Sequence, residues 1–90
     1  MHAAVVRVTV GDFETAQKRL HEEVVPRASG SPGFVAGYWL RPDEGNQGLS
    51  VIVFETEDAA RAAAERARAT APPETVTIDS IEIREVVAHA

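Results

Sequence analysis

The residue in this sequence best suited to acid–base chemistry is His21. It falls inside a predicted helix, at the border of that helix's apolar side, and imidazole accepts and donates protons near neutral pH, as a general base must. The other interpretation is a histidine that only supports the fold beside a buried stripe. We expect this second role, in which His21→Ala costs about 1 kcal/mol of stability and leaves ligand affinity unchanged.

Aromatic side chains are concentrated in the stretch SPGFVAGYWL, residues 31–40. Tyr38 and Trp39 are neighbours on a predicted strand, so they point to opposite faces of the sheet and at most one of them can line a cavity. Aromatic residues are enriched at subunit interfaces, and Trp39 is the ring that we favour as an interface anchor. The alternation predicts two sets of residues, namely Phe34, Ala36, Tyr38 and Leu40 on one face and Val35, Gly37, Trp39 and Arg41 on the other.

Five residues follow as candidates for a ligand cavity or an interface. Arg41 lies on the side of Trp39 and can hold an oxyanion, and Gly37 leaves room beside Trp39 for another ring. The candidates are His21, Tyr38, Trp39, Arg41 and Phe54. No catalytic residue is assigned among them, because no nucleophile, base and orienting group occur together.

Several kinds of site are excluded by the residue types. The chain has no cysteine, so it has no thiol nucleophile or disulfide. It also has no G-x-S-x-G motif of a serine hydrolase. His2, His21 and His89 lie far apart and show no metal-binding spacing. We therefore expect no metal and no cofactor.

The charge balance limits the partners. Fourteen acidic residues against nine basic ones give a net charge of -5, which argues against binding to nucleic acid or to an anionic membrane. No apolar run approaches the roughly 18–20 residues that span a bilayer. The N-terminal stretch MHAAVVRVTV lacks the pattern of a signal peptide, so a cytoplasmic protein is expected.

Hydrophobic periodicity predicts six elements in a single domain, residues 1–90. Alternating β-branched residues are typical of strands, and apolar residues at spacings of three and four are typical of helices. The predicted elements are strands over 5–10, 34–41, 49–55 and 75–88, and helices over 12–25 and 56–70. Strands two and three flank a polar connection with two glycines, which indicates an antiparallel hairpin.

Local signals set the ends of these elements. Asp12 and Thr56 are good N-caps for the two helices. Pro26 should end or kink the first helix, and the run TAPPE, residues 70–74, should end the second. In the last strand the apolar residues change parity at Asp79–Ser80, which predicts a β-bulge or a break there.

The order β-α-β-β-α-β predicts an α+β, ferredoxin-like fold with a four-stranded antiparallel sheet and two helices on one face. Strand three is apolar on both faces, with Leu49, Val51 and Val53 on one and Ile52 and Phe54 on the other. Helices cover only one face of such a sheet, so the other face is expected to meet a partner.

The layout resembles the dimeric α+β-barrel superfamily, in particular proteins like the antibiotic-biosynthesis monooxygenases. The resemblance covers nearly the whole chain and rests on PGFVAGYW, residues 32–39, and FETEDAARAA, residues 54–63. It implies a homodimer in which two sheets pack into a barrel, with a cavity between each sheet and its helices. In the family a Trp is common at the position of Phe54 and is absent here.

The members of this superfamily include cofactor-independent oxygenases of aromatic polyketides and haem-degrading enzymes. The haem-degrading members use an Asn on strand one and a His on helix two. Both are missing here, which argues against haem degradation. Of two remaining hypotheses we favour a homodimer that binds a small apolar or aromatic ligand without catalysis. The alternative is a cofactor-independent monooxygenase-like enzyme acting on a small aromatic or polyketide-like substrate.

Overall fold

A computed structural model describes residues 1–70 and 75–90. The elements are β1 (His2–Val10), α1 (Phe13–Arg19), a π-helical turn (Leu20–Val24), α2 (Val25–Ser29), β2 (Phe34–Leu40), β3 (Gln47–Phe54), α3 (Glu57–Ala69) and β4 (Val76–Glu85). The strands form one antiparallel sheet in the order β2-β3-β1-β4. The predicted ferredoxin-like fold and the β2–β3 hairpin are therefore confirmed.

One continuous helical run, residues 13–29, follows β1, and we call it the roof helix. The carboxylate of Asp12 caps it by accepting hydrogen bonds from the backbone N–H groups of Glu14, at 3.1 Å, and Thr15, at 3.4 Å. The helix does not end at Pro26, because the run continues for one further short segment, α2, up to Ser29. Its π-helical turn, in which the Val25 N–H donates to the Leu20 carbonyl, lies just where proline disrupts regular α-helical bonding.

Helix α3 packs closely on the sheet because its inner side is made of alanine. The Thr56 hydroxyl accepts a hydrogen bond from the Ala59 N–H at 3.1 Å, as its predicted role as N-cap requires. Ala60 is completely buried and packs in one cluster with Phe54 and Ala4. The predicted helix stop in residues 70–74 falls largely outside the described residues.

The turn before β2 also depends on this close packing. Gly33 has a φ of +77°, which favours glycine. A Cβ at this position would come within 2.9 Å of the Ala59 Cβ. The Pro-Gly entry into β2 therefore serves the approach of α3 to the sheet.

Strand β4 contains the predicted bulge. Arg7 pairs with Ser80 and Val8 pairs with Ile78, so Asp79 is the extra residue. The Thr9 hydroxyl donates to the Asp79 carboxylate at 2.7 Å. The bulge brings the apolar residues of both halves of the strand to the helix side, where Ile78 lines a cavity and Ile83 joins the core.

A second bulge, in β2, was not predicted. Phe34 pairs with Phe54 and Ala36 pairs with Val53, which leaves Val35 as the extra residue. Phe34 therefore lies on the helix side, 6.4 Å from Phe54 in an edge-to-face contact. Its expected place on the face of Ala36 is wrong, since the bulge shifts the alternation by one residue.

The sheet face away from the helices carries an apolar patch on parts of β1, β2 and β3. The registers of β1, β2 and β3 place side chains there that are mostly half-buried or exposed in the single chain. They are Val5, Ala36, Tyr38, Leu40, Leu49, Val51 and Val53. Over residues 1–70 and 75–90, every helix is too short or too polar to cross a bilayer.

Candidate functional site

A half-open cavity of about 470 Å³ lies between the roof helix and the sheet. Its size falls within the range of small-molecule sites, about 300–1,000 Å³. Valines of β1, isoleucines of β3 and β4 and the inner side of the roof helix make most of its wall. The lining side chains include Val6, Val8, Val10, Phe13, Ala16, Gln17, Leu20, His21, Val24, Arg27, Trp39, Arg41, Ser50, Ile52 and Ile78.

Trp39 is the aromatic ring of the SPGFVAGYWL stretch that lines this cavity. It lies on β2 opposite Ser50 of β3, and Ser50, which is 9% exposed, is the buried polar residue of the cavity floor. A Cβ on Gly37 would come within 2.8 Å of the Trp39 Cη2 atom. The space that Gly37 was expected to leave beside Trp39 for another group is therefore occupied by the indole itself.

Tyr38 and Phe54 do not line the cavity. Tyr38 is 60% exposed and points to the opposite face of the sheet. Phe54 is 1% exposed and belongs to the core under α3. The alternation of β2 predicted correctly that Tyr38 and Trp39 would separate, but Trp39, which we favoured as an interface anchor, lies on the cavity side instead.

His21 lines the cavity from the π-helical turn of the roof helix. The residue is exposed, so the imidazole is accessible from solvent and from the cavity at the same time. His21 therefore lies at the border of the apolar side of the roof helix, as expected. An accessible imidazole at a cavity wall has the position that a proton acceptor needs.

Arg41 follows β2 directly and also lines the cavity. Its guanidinium carbon lies 4.8 Å from the centre of the Phe13 ring at the start of the roof helix, within the range of a cation–π contact. Phe13, Arg27 and Ser50 line the cavity but were not among the candidates from the sequence. Ser50 could have been found, because it is two residues from Ile52 on β3 and therefore lies on the same face.

Two carboxyl groups have displaced pKa values, and both lie at helix N-termini. Hydrogen bonds from the Thr15 hydroxyl and backbone lower the pKa of Asp12. A hydrogen bond from Arg61 lowers the pKa of Glu57. Neither carboxyl lines the cavity, and within the described ranges no three histidine or acidic side chains are grouped as metal ligands.

Comparison with known proteins gives similarity at the level of structure. No protein-family model and no curated protein matches the chain. SnoaB, a cofactor-independent oxygenase from Streptomyces nogalater, is similar with a TM-score of 0.70 and 21% identity over 98% of this chain and 94% of that chain.

Two further solved structures share the fold. The haem-degrading protein MhuD from Mycobacterium tuberculosis, with two haems bound in its active site, has a TM-score of 0.65 and 24% identity over 100% of this chain and 99% of its own. ActVA-Orf6, a monooxygenase from Streptomyces coelicolor in complex with nanaomycin D, has a TM-score of 0.55 and 20% identity over 99% and 92%. The chain thus shares the fold of these three proteins.

Proposed function

We propose that this protein binds a small aromatic or polyketide-like molecule in the cavity under the roof helix and oxygenates it without a cofactor. The observation that carries the proposal is the meeting of an indole, an imidazole and a guanidinium, from Trp39, His21 and Arg41, at one largely apolar cavity. The comparisons support catalysis over simple binding, because the similar structures are described as an oxygenase, a monooxygenase and a haem-degrader. This reverses the order of our two hypotheses from sequence.

The chemistry needs an acidic C–H group flanked by aromatic rings, as in an anthrone. His21 accepts the proton, and the resulting carbanion gives one electron to O₂. The radical pair combines to a peroxide anion, which takes the proton back from His21. The resulting hydroperoxide loses water, so that CH₂ and O₂ become C=O and H₂O. The apolar wall limits the contact of the carbanion with water, and an enolate oxygen is stabilised by a positive group such as Arg41.

Oxygen uptake with 1,8-dihydroxyanthrone tests this proposal, with the anthraquinone product followed by its absorbance. We expect His21→Ala to lower the rate by about 10²–10⁴-fold, which is typical of a lost general base. The matched control is His89→Ala, because His89 is exposed outside the cavity. Uptake by the wild type no faster than in buffer, or equal rates for His21→Ala and wild type, would contradict the proposal.

Haem is the competing ligand, given the likeness to MhuD. Strand β1 has no asparagine and α3 has no histidine, so the residues expected for haem degradation are missing at both places. We therefore expect no haem-degrading activity. Loss of the haem absorbance on incubation with the protein and a reductant would favour this other function.

We also propose that two copies pack through their apolar sheet faces. The support is the row of exposed or half-buried apolar side chains around Tyr38 and Leu40, which are 60% and 50% exposed in the single chain. Sedimentation equilibrium at micromolar concentration should give about twice the chain mass. Tyr38→Glu should shift the protein to the monomer, whereas Val87→Glu, at an exposed position outside the sheet, should not. A folded wild-type monomer would contradict this assembly.

A cytoplasmic location stays a prediction from the sequence.

A further inference from the structure

We infer that the ligand of this cavity is an anion, namely an aromatic ring system that carries a carboxylate, and that Arg41 binds the carboxylate. This inference rests on the proposed function, since it names the ligand class of the same cavity. It starts from a charge asymmetry. The chain has an excess of acidic residues and a net charge of -5, yet the charged side chains that line the cavity, among the described residues, are Arg27 and Arg41.

The arginines of the cavity differ from most others in the chain. Four arginines, Arg19, Arg61, Arg68 and Arg84, each form an ion pair with a glutamate. Within residues 1–70 and 75–90, Arg27 and Arg41 have no carboxylate within ion-pair distance. The guanidinium of Arg41 rests on the Phe13 ring instead, which leaves its N–H groups free to receive an anion.

The position of Arg41 selects it over Arg27. Arg41 lies two residues after Trp39, just beyond the end of β2, and contacts Phe13 at the start of the roof helix. Arg27 lies in α2 at the other end of that helix, about 20 Å away along the helix axis. A carboxylate attached to a ring that stacks near Trp39 therefore reaches Arg41.

Ring and carboxylate would be recognised by different parts of the cavity. The apolar wall of Val6, Val8 and Ile52, with Trp39, contacts the ring without regard to charge. The bidentate N–H groups of an arginine match the two oxygens of a carboxylate. The charge contribution is moderated by solvent because Arg41 is exposed. The preference for the anion should be about tenfold.

Calorimetric titration with two probes of the same shape tests this inference, namely anthraquinone-2-carboxylate and its neutral 2-carboxamide. We expect the wild type to bind the carboxylate about 10-fold more tightly. Arg41→Gln should reduce this preference to within about twofold, by weakening the binding of the carboxylate more than that of the carboxamide. Arg41→Lys keeps the charge and should retain much of the preference. Arg66→Gln, on the exposed side of α3, is the matched control and should retain all of it.

Equal wild-type affinities for the two probes would overturn the inference, as would a preference that survives Arg41→Gln or is abolished by Arg27→Gln alone. The outcome is separable from that of the proposed function, because the anthrone of the oxygen-uptake assay carries no carboxylate. Turnover of the anthrone without a carboxylate preference refutes the anion site only. A carboxylate preference dependent on Arg41, without turnover, refutes the oxygenase only.

Discussion

The two helices over the sheet, α3 and the roof helix, pack against it differently. Helix α3 meets the sheet through alanines and closes the core, with Ala60 completely buried against Phe54. The roof helix buries Ala16 but presents larger side chains such as Leu20 and Val24 toward the sheet, and a cavity of about 470 Å³ stays open between them. A helix whose inner side is alanine can approach a sheet closely, whereas larger side chains on the inner side hold the helix away from it.

This difference separates the close-packed part of the molecule from the part with an open cavity. The α3 half supplies the close-packed core, in which each added or removed methylene is felt. The roof half supplies an accessible cavity with His21, Trp39 and Arg41 at its wall. Substitutions in the two halves should therefore have different consequences, and the following predictions test that separation.

The largest effect on folding is expected at Ala60. Ala60→Leu adds three carbons at a position with no exposed surface, and overpacking of this kind costs about 1–3 kcal/mol. Ala62→Leu on the exposed side of the same helix is the control, with a change of about 0.5 kcal/mol or less. Urea denaturation measures both. Equal stability of the two variants would show that the α3 half is not the close-packed one.

A smaller effect on folding is expected at Ala16, the corresponding buried alanine of the roof helix. Its side chain lines the cavity, so the added carbons of Ala16→Leu enter empty space and should change stability by less than about 1 kcal/mol. The same carbons occupy the ligand site and should weaken binding of anthraquinone-2-carboxylate by at least about 10-fold. A variant as unstable as Ala60→Leu, or one with unchanged affinity, would contradict an open cavity at this position.

The smallest effect is expected from the caps. The pKa of Asp12 is lowered by its hydrogen bonds from Thr15, so this carboxylate stabilises the fold above its unfolded pKa of about 4, and the contribution is lost as the pH falls through the lower folded value. Asp12→Asn keeps a capping side chain without the charge. Its melting temperature should fall less steeply than that of the wild type below about pH 4.

Helix α3 offers the matched comparison for this titration. Its cap, Thr56, does not titrate, but the pKa of Glu57 is lowered by Arg61. Glu57→Gln should remove the part of the pH dependence of stability that comes from Glu57 in α3. Melting curves between pH 3 and pH 7 for both variants separate the two contributions. If the melting temperature of Asp12→Asn falls with decreasing pH as steeply as that of the wild type, the charge of Asp12 contributes nothing to stability.

Much of the fold could be predicted because it depends on local signals. The caps at Asp12 and Thr56 and the parity change at Asp79–Ser80 were each visible in a few residues and are each present in the structure. The bulge at Val35 was not visible, because both faces of β2 carry apolar residues and a shift of one leaves no mismatch in the pattern. The helix was expected to end at Pro26, but it continues for a short segment because a π-helical turn accommodates the proline.

The cavity was harder to predict than the elements around it. Its existence depends on how far the roof helix stands from the sheet, which is set by packing between distant parts of the chain. The sequence separated Tyr38 from Trp39 but could not assign either to the helix side, since both rings are large enough for a core or an interface. Phe54 was a candidate for the same reason and proved to be core.

The central claim, that the space under the roof helix is a site for an aromatic ligand, is tested most directly by the emission of Trp39. The chain contains one tryptophan, and it lines the cavity, so its fluorescence reports this site alone. Titration with 1,8-dihydroxyanthrone under anaerobic conditions should quench the emission with saturation at one ligand per chain, and Ala16→Leu should weaken the quenching. Quenching that rises without saturation, or that is unchanged in Ala16→Leu, would contradict the claim.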